Sequence, residues 1–268
     1  EEASQALIER AQAAGVSPLI TVGFDVTSSL KGFELAQKYE SVFCALGVHP
    51  YDGAGWDASA ATTFLQKIEE DRASGTTKIV AIGEIGLDYF HQRTTKEEQQ
   101  RVFREELRLA KEVNLPVIIH CREAFSDVWR ILEEEMRGSA LRFAGEMREG
   151  ELTPLSLREW CVVFHCFSEN LEMAQKIWEK GWHTSFTAVV SYPKSEELRK
   201  VVAACPSDRY FLETDAPFLP HQTLRGKKNE SSFLPPLAET VAEVRHVPLA
   251  KIEEETTRNA IQFFGIKF

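Results

Sequence analysis

The sequence predicts an α/β fold of the (β/α)8 barrel class, and three observations predict it. Seven apolar runs alternate with amphipathic helical stretches along the 268 residues, and such alternation implies a parallel sheet. Seven parallel strands would leave an edge, whereas eight close on themselves. The chain opens directly on a helical stretch, so a first strand is expected before Glu1. Finally, polar residues recur at the C-terminal ends of the runs, where such barrels build their active sites. An open doubly wound sheet is the alternative, and no GxGxxG or Walker-type loop supports it.

The elements follow in order. Residues 1–14 place Ala6, Leu7, Ala11 and Ala14 on one helical face, with Gly15 as a stop. Pro18 to Phe24 reads as a buried strand, and 28–39 as a helix capped by Ser28 or Ser29. Val42 to His49 is a strand ended by Pro50, and 57–70 a helix. Lys78 to Tyr89 is the central stretch. Ile79 to Ile82 form a strand apolar on both faces, and Glu84 follows between Gly83 and Gly86, glycines that let other groups approach closely. Beyond a capping region at Thr94-Thr95 lies a long amphipathic helix over 95–112. Leu115 to Cys121 is a strand and 124–136 a helix. Residues 137–159 turn mixed, charged and Gly/Pro-interrupted, which predicts a surface insertion. Strands are then expected at Cys161 to Phe167, His183 to Val190 and Arg209 to Ala216, with helices at 169–180, 196–204, 235–245 and 248–263.

Composition bounds the function. A length of 268 residues fits one barrel domain over 1–268, since such barrels use about 250 residues. No apolar run approaches the roughly 18–20 residues needed to span a bilayer, and no secretory signal is present. Cys44, Cys121, Cys161, Cys166 and Cys205 show no CxxC spacing and read as core hydrophobes in a reducing compartment, so a cytoplasmic location is expected. The net charge of −10 argues against a surface that coats nucleic acid, so phosphate recognition has to be local. Oligomeric state is not legible, a monomer being favoured.

His49, Glu84, His120, His165 and Asp215 each follow an apolar run. One histidine at a strand end is usually a satisfied core residue. Three histidines and two carboxylates at the same ends of successive strands point instead to a divalent metal centre, because clustered buried carboxylates need cations and imidazole with carboxylate ligates zinc, manganese or similar ions. A metal with open positions lowers the pKa of bound water, and a carboxylate on the last strand, Asp215, can hold that water and take its proton. The expected reaction is hydrolysis. Asp88 and Glu213 adjoin these residues and either orient them or cap loops. Trp129, Trp160, Trp178 and Trp182 read as core or half-buried rather than base-stacking, and His91, His183, His221 and His246 carry no signal.

Gly47-Val48-His49-Pro50, Gly83-Glu84-Ile85-Gly86-Leu87-Asp88-Tyr89, His120-Cys121-Arg122-Glu123-Ala124, Phe164-His165-Cys166-Phe167 and Glu213-Thr214-Asp215-Ala216-Pro217 resemble the successive signatures of the TatD family of metal-dependent deoxyribonucleases. Order and spacing match over essentially the whole chain. The resemblance implies a TIM barrel of the amidohydrolase superfamily, one or two divalent ions per chain (Mg, Mn or Zn), and hydrolysis of DNA phosphodiesters at single strands or strand ends, as a 3′→5′ exonuclease or repair nuclease. Residue by residue it implies that Glu84, His120, His165 and Asp215 are metal ligands, Glu84 and Asp215 being catalytic. His49, Arg122, Arg225, Lys227 and Asn229 would contact the substrate phosphate. Two departures are visible. The family's His-x-His pair at the first strand is absent and expected before Glu1, and the loop at Arg225–Asn229 continues Glu230-Ser231-Ser232 where the family runs on to proline. An amidohydrolase acting on a small ester, lactone or amide is the competing reading, since barrel and ligands do not fix substrate. A barrel that has lost its chemistry is the third.

Overall fold

The computed structural model describes residues 2–91, 93–146 and 161–266. The predicted alternation is present. Among these residues the order is α1 (Glu2–Ala13), β1 (Leu19–Val22), α2 (Val26–Lys38), β2 (Val42–Leu46), α3 (Ala58–Ser74), β3 (Ile79–Asp88), α4 (Lys96–Glu112), β4 (Val117–Arg122), α5 (Phe125–Glu146), β5 (Val162–Phe164), α6 (Leu171–Glu179), β6 (His183–Phe186), α7 (Glu196–Ala204), β7 (Tyr210–Leu212), α8 (Leu234–Arg245) and α9 (Leu249–Phe264). The fold class is α/β of the barrel type, as the alternation implied.

Contacts divide the chain into two compact units, Ile20–Val162 and Glu1–Leu19 with Val163–Phe268. In the first, strands follow chain order and β3 pairs in parallel with β2 and β4, setting Ile82 against Val117 and Gly86 against His120. Ile82, Ile85 and Leu87 of β3 are fully buried, which explains its continuous apolar run. The stripe Val102, Phe103, Leu107 and Ala110 of α4 is buried too, each large side chain contributing about 1.5–3 kcal/mol over an exposed position. In the second unit β6 pairs in parallel with β5 and β7. There Trp182, Phe186 and Tyr210 are buried.

Helix boundaries follow local chemistry, with three corrections to the sequence reading. The cap of α2 is Asp25, whose carboxylate accepts from the Ser28 N–H, while Ser28 Oγ accepts from the Asp25 N–H. Ser28 is thus the reciprocal partner in a capping box. Strand β6 stops at Phe186 and a 3-10 turn over Ala188–Ser191 replaces its expected continuation. Helix α5 runs to Glu146, so the first part of the expected insertion is helical: it holds glycines but no proline, the insertion's first being Pro154. Residues 147–159 and Trp160 lie outside the described residues.

Two glycines bring the strand ends together. A Cβ on Gly47 would overlap the Gly83 carbonyl carbon and crowd the Glu84 nitrogen. Gly86, at φ +143°, would drive a Cβ into the His120 carbonyl. The chain after β2 therefore runs against Gly83-Glu84, and β3 runs against His120, at a separation no other residue permits.

Candidate metal centre

Within Ile20–Val162, the segment after β2 delivers His49, and strands β3 and β4 deliver Glu84 and His120, to one place; β3 runs on past Glu84, where the sequence put its end, to Asp88. One ligand atom from each lies within 4.8 Å of the others. Backbone bonds fix these positions: the His49 N–H donates to the Phe24 carbonyl at 2.8 Å and the Glu84 N–H to the Gly23 carbonyl at 2.9 Å. Glu106 of α4, fully buried, accepts the Val48 N–H at 2.7 Å. Burial pushes the Glu106 carboxyl well up, and the bond from the Val48 N–H works against that.

His120 stands between two carboxylates. Its Nδ1 lies 2.7 Å from Glu84 Oε1 and its Nε2 3.0 Å from Asp88 Oδ2. Asp88 is fully buried and accepts from the backbone N–H groups of Phe90 and His91 at 3.0 and 2.8 Å. Burial works to raise its carboxyl, and the bonds from His120 and His91 more than offset that, leaving it below the usual carboxylate range. An ionised Asp88 fixes the His120 proton on Nε2 and leaves Nδ1 as the electron-pair donor facing Glu84. Carboxylate oxygen and imidazole nitrogen on a common centre, backed by a buried carboxylate, form a donor set that fits a divalent ion.

His49 is placed differently. Its Nδ1 accepts the Tyr51 N–H at 3.1 Å, which puts the ring proton on Nε2, 3.5 Å from Glu84 Oε1. In that tautomer Nε2 faces the Glu84 carboxylate as a donor. Arg122, exposed at the end of β4, stacks its guanidinium 4.3 Å from the Phe90 ring centre. Sequence reasoning missed two neighbours. The Tyr51 hydroxyl bonds His91 Nδ1, which also lies 3.2 Å from Asp88 Oδ2. Their only sequence signal is position, directly after His49-Pro50 and after Asp88.

In the other unit, His165 follows β5, and Glu213 and Asp215 follow β7. Glu213 accepts from the Cys166 N–H at 2.5 Å and from Ser185 Oγ at 2.9 Å, and lies 3.4 Å from His165 Nδ1. Burial alone would raise this carboxyl, but the His165 charge and these bonds hold it below its ordinary value. It thus orients His165 much as Asp88 orients His120. Asp215 adopts φ +54°, a left-handed conformation costly to a non-glycine residue and held by its surroundings. Part of what holds it is Asn229. This residue is 5% exposed, and its Nδ2 donates to the Thr214 and Phe218 carbonyls at 2.6 Å each and to Leu219 at 3.3 Å. Its amide is therefore occupied within the Asp215 loop, where the sequence placed it at the phosphate. Arg225 and Lys227 are exposed, Arg225 against Tyr192 at 5.1 Å.

Comparison with known proteins agrees with this geometry. The chain is 36% identical over 265 residues to the metal-dependent hydrolase YabD of Bacillus subtilis, covering 97% of this chain and 92% of that one. It is 32% identical over 266 residues to the 3'-5' ssDNA/RNA exonuclease TatD of Cronobacter sakazakii, covering 96% and 90%. The crystal structure of the Escherichia coli TatD homologue YjjV superposes with a TM-score of 0.82 at 26% identity, covering 99% and 93%. A family model described as TatD related DNase matches residues 1–265. With strand-end carboxylates and imidazoles already pointing to metal-dependent hydrolysis, the chain belongs to the TatD-related DNase family of metal-dependent hydrolases.

Proposed function

We propose that this hydrolase cleaves phosphodiester bonds of single-stranded nucleic acid, DNA foremost, from a strand end in the 3′→5′ direction. The carrying observation is that Glu84 and His120 Nδ1 face one another while His49 lies 3.5 Å from Glu84 and Arg122 ends the strand that carries His120, two donors suited to phosphate. The exonuclease named among the relatives supports the same substrate. When bound, a divalent ion supplies Lewis acidity and water of lowered pKa at neutral pH. Glu84 and His120 hold it. Asp88 keeps the His120 proton on Nε2, His49 donates from Nε2 to a phosphate oxygen, and Arg122 neutralises phosphate charge. His165 as a ligand and Asp215 as ligand and proton acceptor come from the motif resemblance, and Arg225 and Lys227 are proposed to attract the strand. Asn229 acts through the Asp215 loop. The family match across residues 1–265 supports one catalytic domain, and the lack of CxxC spacing among the cysteines supports a cytoplasmic setting. No helix among the described residues is long and apolar enough to cross a membrane.

The test is digestion of end-labelled single-stranded DNA by metal-stripped protein supplied with magnesium, manganese or zinc. A metal-dependent ladder shortening from the 3′ end supports the reading, with Glu84→Gln and Asp215→Asn each losing activity by roughly a thousandfold or more while circular dichroism is unchanged. Metal binding without cleavage would transfer the reading to a small ester, lactone or amide.

A further inference from the structure

Five large hydrophobic residues are exposed among the described residues, and three are phenylalanines: Phe24 at 52%, Phe90 at 52% and Phe218 at 68%. Their placement is not scattered. Each lies in a loop just past the C-terminal end of a strand, and each has its backbone bonded to a residue of the candidate chemistry. Phe24 lends its carbonyl to the His49 N–H at 2.8 Å. The Phe90 N–H donates to Asp88 Oδ1 at 3.0 Å. The Phe218 N–H donates to the Asp215 carbonyl at 2.9 Å. The first two belong to the same compact unit as the Glu84–His120 pair.

The backbone that carries Phe24 and the ring of Phe90 are held in position despite their exposure. The Phe24 N–H is fixed by Ser28 Oγ at 3.0 Å, so its backbone is tied on both sides. Phe90 carries the Arg122 guanidinium on one face at 4.3 Å. An aromatic face beside a cation, on a loop bonded to Asp88, matches what an unstacked nucleobase needs: a π-surface for the base and a charge for its phosphate. A base paired in a duplex offers no free face to such a ring. Among the described residues the tryptophans do not serve here, since Trp56 and Trp182 are buried and Trp129 and Trp178 half-buried.

We propose that Phe24 and Phe90 are nucleobase-stacking residues that select unpaired nucleotides on either side of the cleaved bond, with Arg122 held over Phe90 to meet the phosphate. The proposal rests on the phosphodiesterase reading of this site. It is tested with the metal-loaded full chain and two single-stranded oligonucleotides. One is fully base-bearing, and the other carries abasic residues at its 3′-terminal positions. Phe90→Ala and Phe24→Ala should raise KM on the base-bearing strand roughly 5- to 100-fold with little change in kcat, the range expected for losing one stacked base. On the abasic strand the wild type should already be weak, and the alanine variants should lose nothing further. Phe90→Tyr should restore the base-bearing KM. Unchanged KM in both alanine variants overturns the proposal, as does an equal loss on both strands, which would mark the rings as structural. Quenching of a 3′-terminal 2-aminopurine separates this from the reaction. Binding and quenching without cleavage would sink the nuclease reading while supporting the stacking, and neither binding nor cleavage would sink both.

Discussion

His120 Nε2 stands 3.0 Å from Oδ2 of Asp88, a carboxylate with no solvent exposure. That contact determines which imidazole nitrogen faces Glu84. Asp88→Asn keeps the shape and removes the charge that holds the proton. Divalent affinity, measured by titration calorimetry with manganese, should fall roughly 10- to 100-fold. An affinity equal to wild type would leave Asp88 as a loop cap for Phe90 and His91 only.

Asn229 separates two readings of the basic loop. If its amide serves to hold the Asp215 loop, Asn229→Ala should destabilise the fold by about 1–3 kcal/mol in urea titration, since three part-buried carbonyls lose a donor. Lys227→Ala, on the exposed side, should leave stability unchanged within about 0.5 kcal/mol.

Charge at positions 227 and 228 is expected to act at long range. Reversing both lysines to glutamate should weaken binding of a single-stranded oligonucleotide at 50 mM salt by about tenfold or more, and far less at 300 mM. Fluorescence anisotropy across a salt series checks this, and parallel salt slopes for variant and wild type would remove the loop from the footprint.

His183 provides a pH signature of stability. Its ring stacks on Phe211 at 5.0 Å and meets Phe263 edge-on at 4.9 Å, and burial, with help from the Arg209 charge, lowers its pKa to about 4. The unfolded chain takes up a proton near the ordinary value of 6.5 that the folded chain refuses until about 4. Stability therefore falls as pH drops through that window, by up to about 1.4 kcal/mol per pH unit, and levels off below it. His183→Phe should lack this slope, so the stability difference between wild type and variant should itself fall with pH in denaturant titrations from pH 7 to 4.

Much of this was legible in the sequence, and for identifiable reasons. Strand ends are marked by where an apolar run stops, so His49, Glu84, His120, His165 and Asp215 could be named from periodicity alone. What periodicity does not encode is loop conformation. Glu123, Cys166 and Asp215 all take positive φ where their loops turn. The turn at Asp215 sits among the carbonyls that Asn229 meets, at Thr214, Phe218 and Leu219. His91 looked like any loop histidine because its partner, Asp88, is only three residues away and had been read as an ambiguous cap. The Asp25 cap was missed for a related reason: Ser28 is itself a good capping residue, and the reciprocal bond is invisible until both side chains are placed.

The glycines at 47, 83 and 86 have a consequence for how this protein can change. Every replacement at such a codon brings a Cβ, and at these three positions it meets backbone or the Ile118 side chain. Random mutagenesis of all three together, followed by selection for folded protein, should return glycine at each. The frame around Glu84 is thus closed to gradual adjustment, and new specificity has to be sought in the loops that carry Phe24, Phe90 and Arg225, where substitution meets solvent.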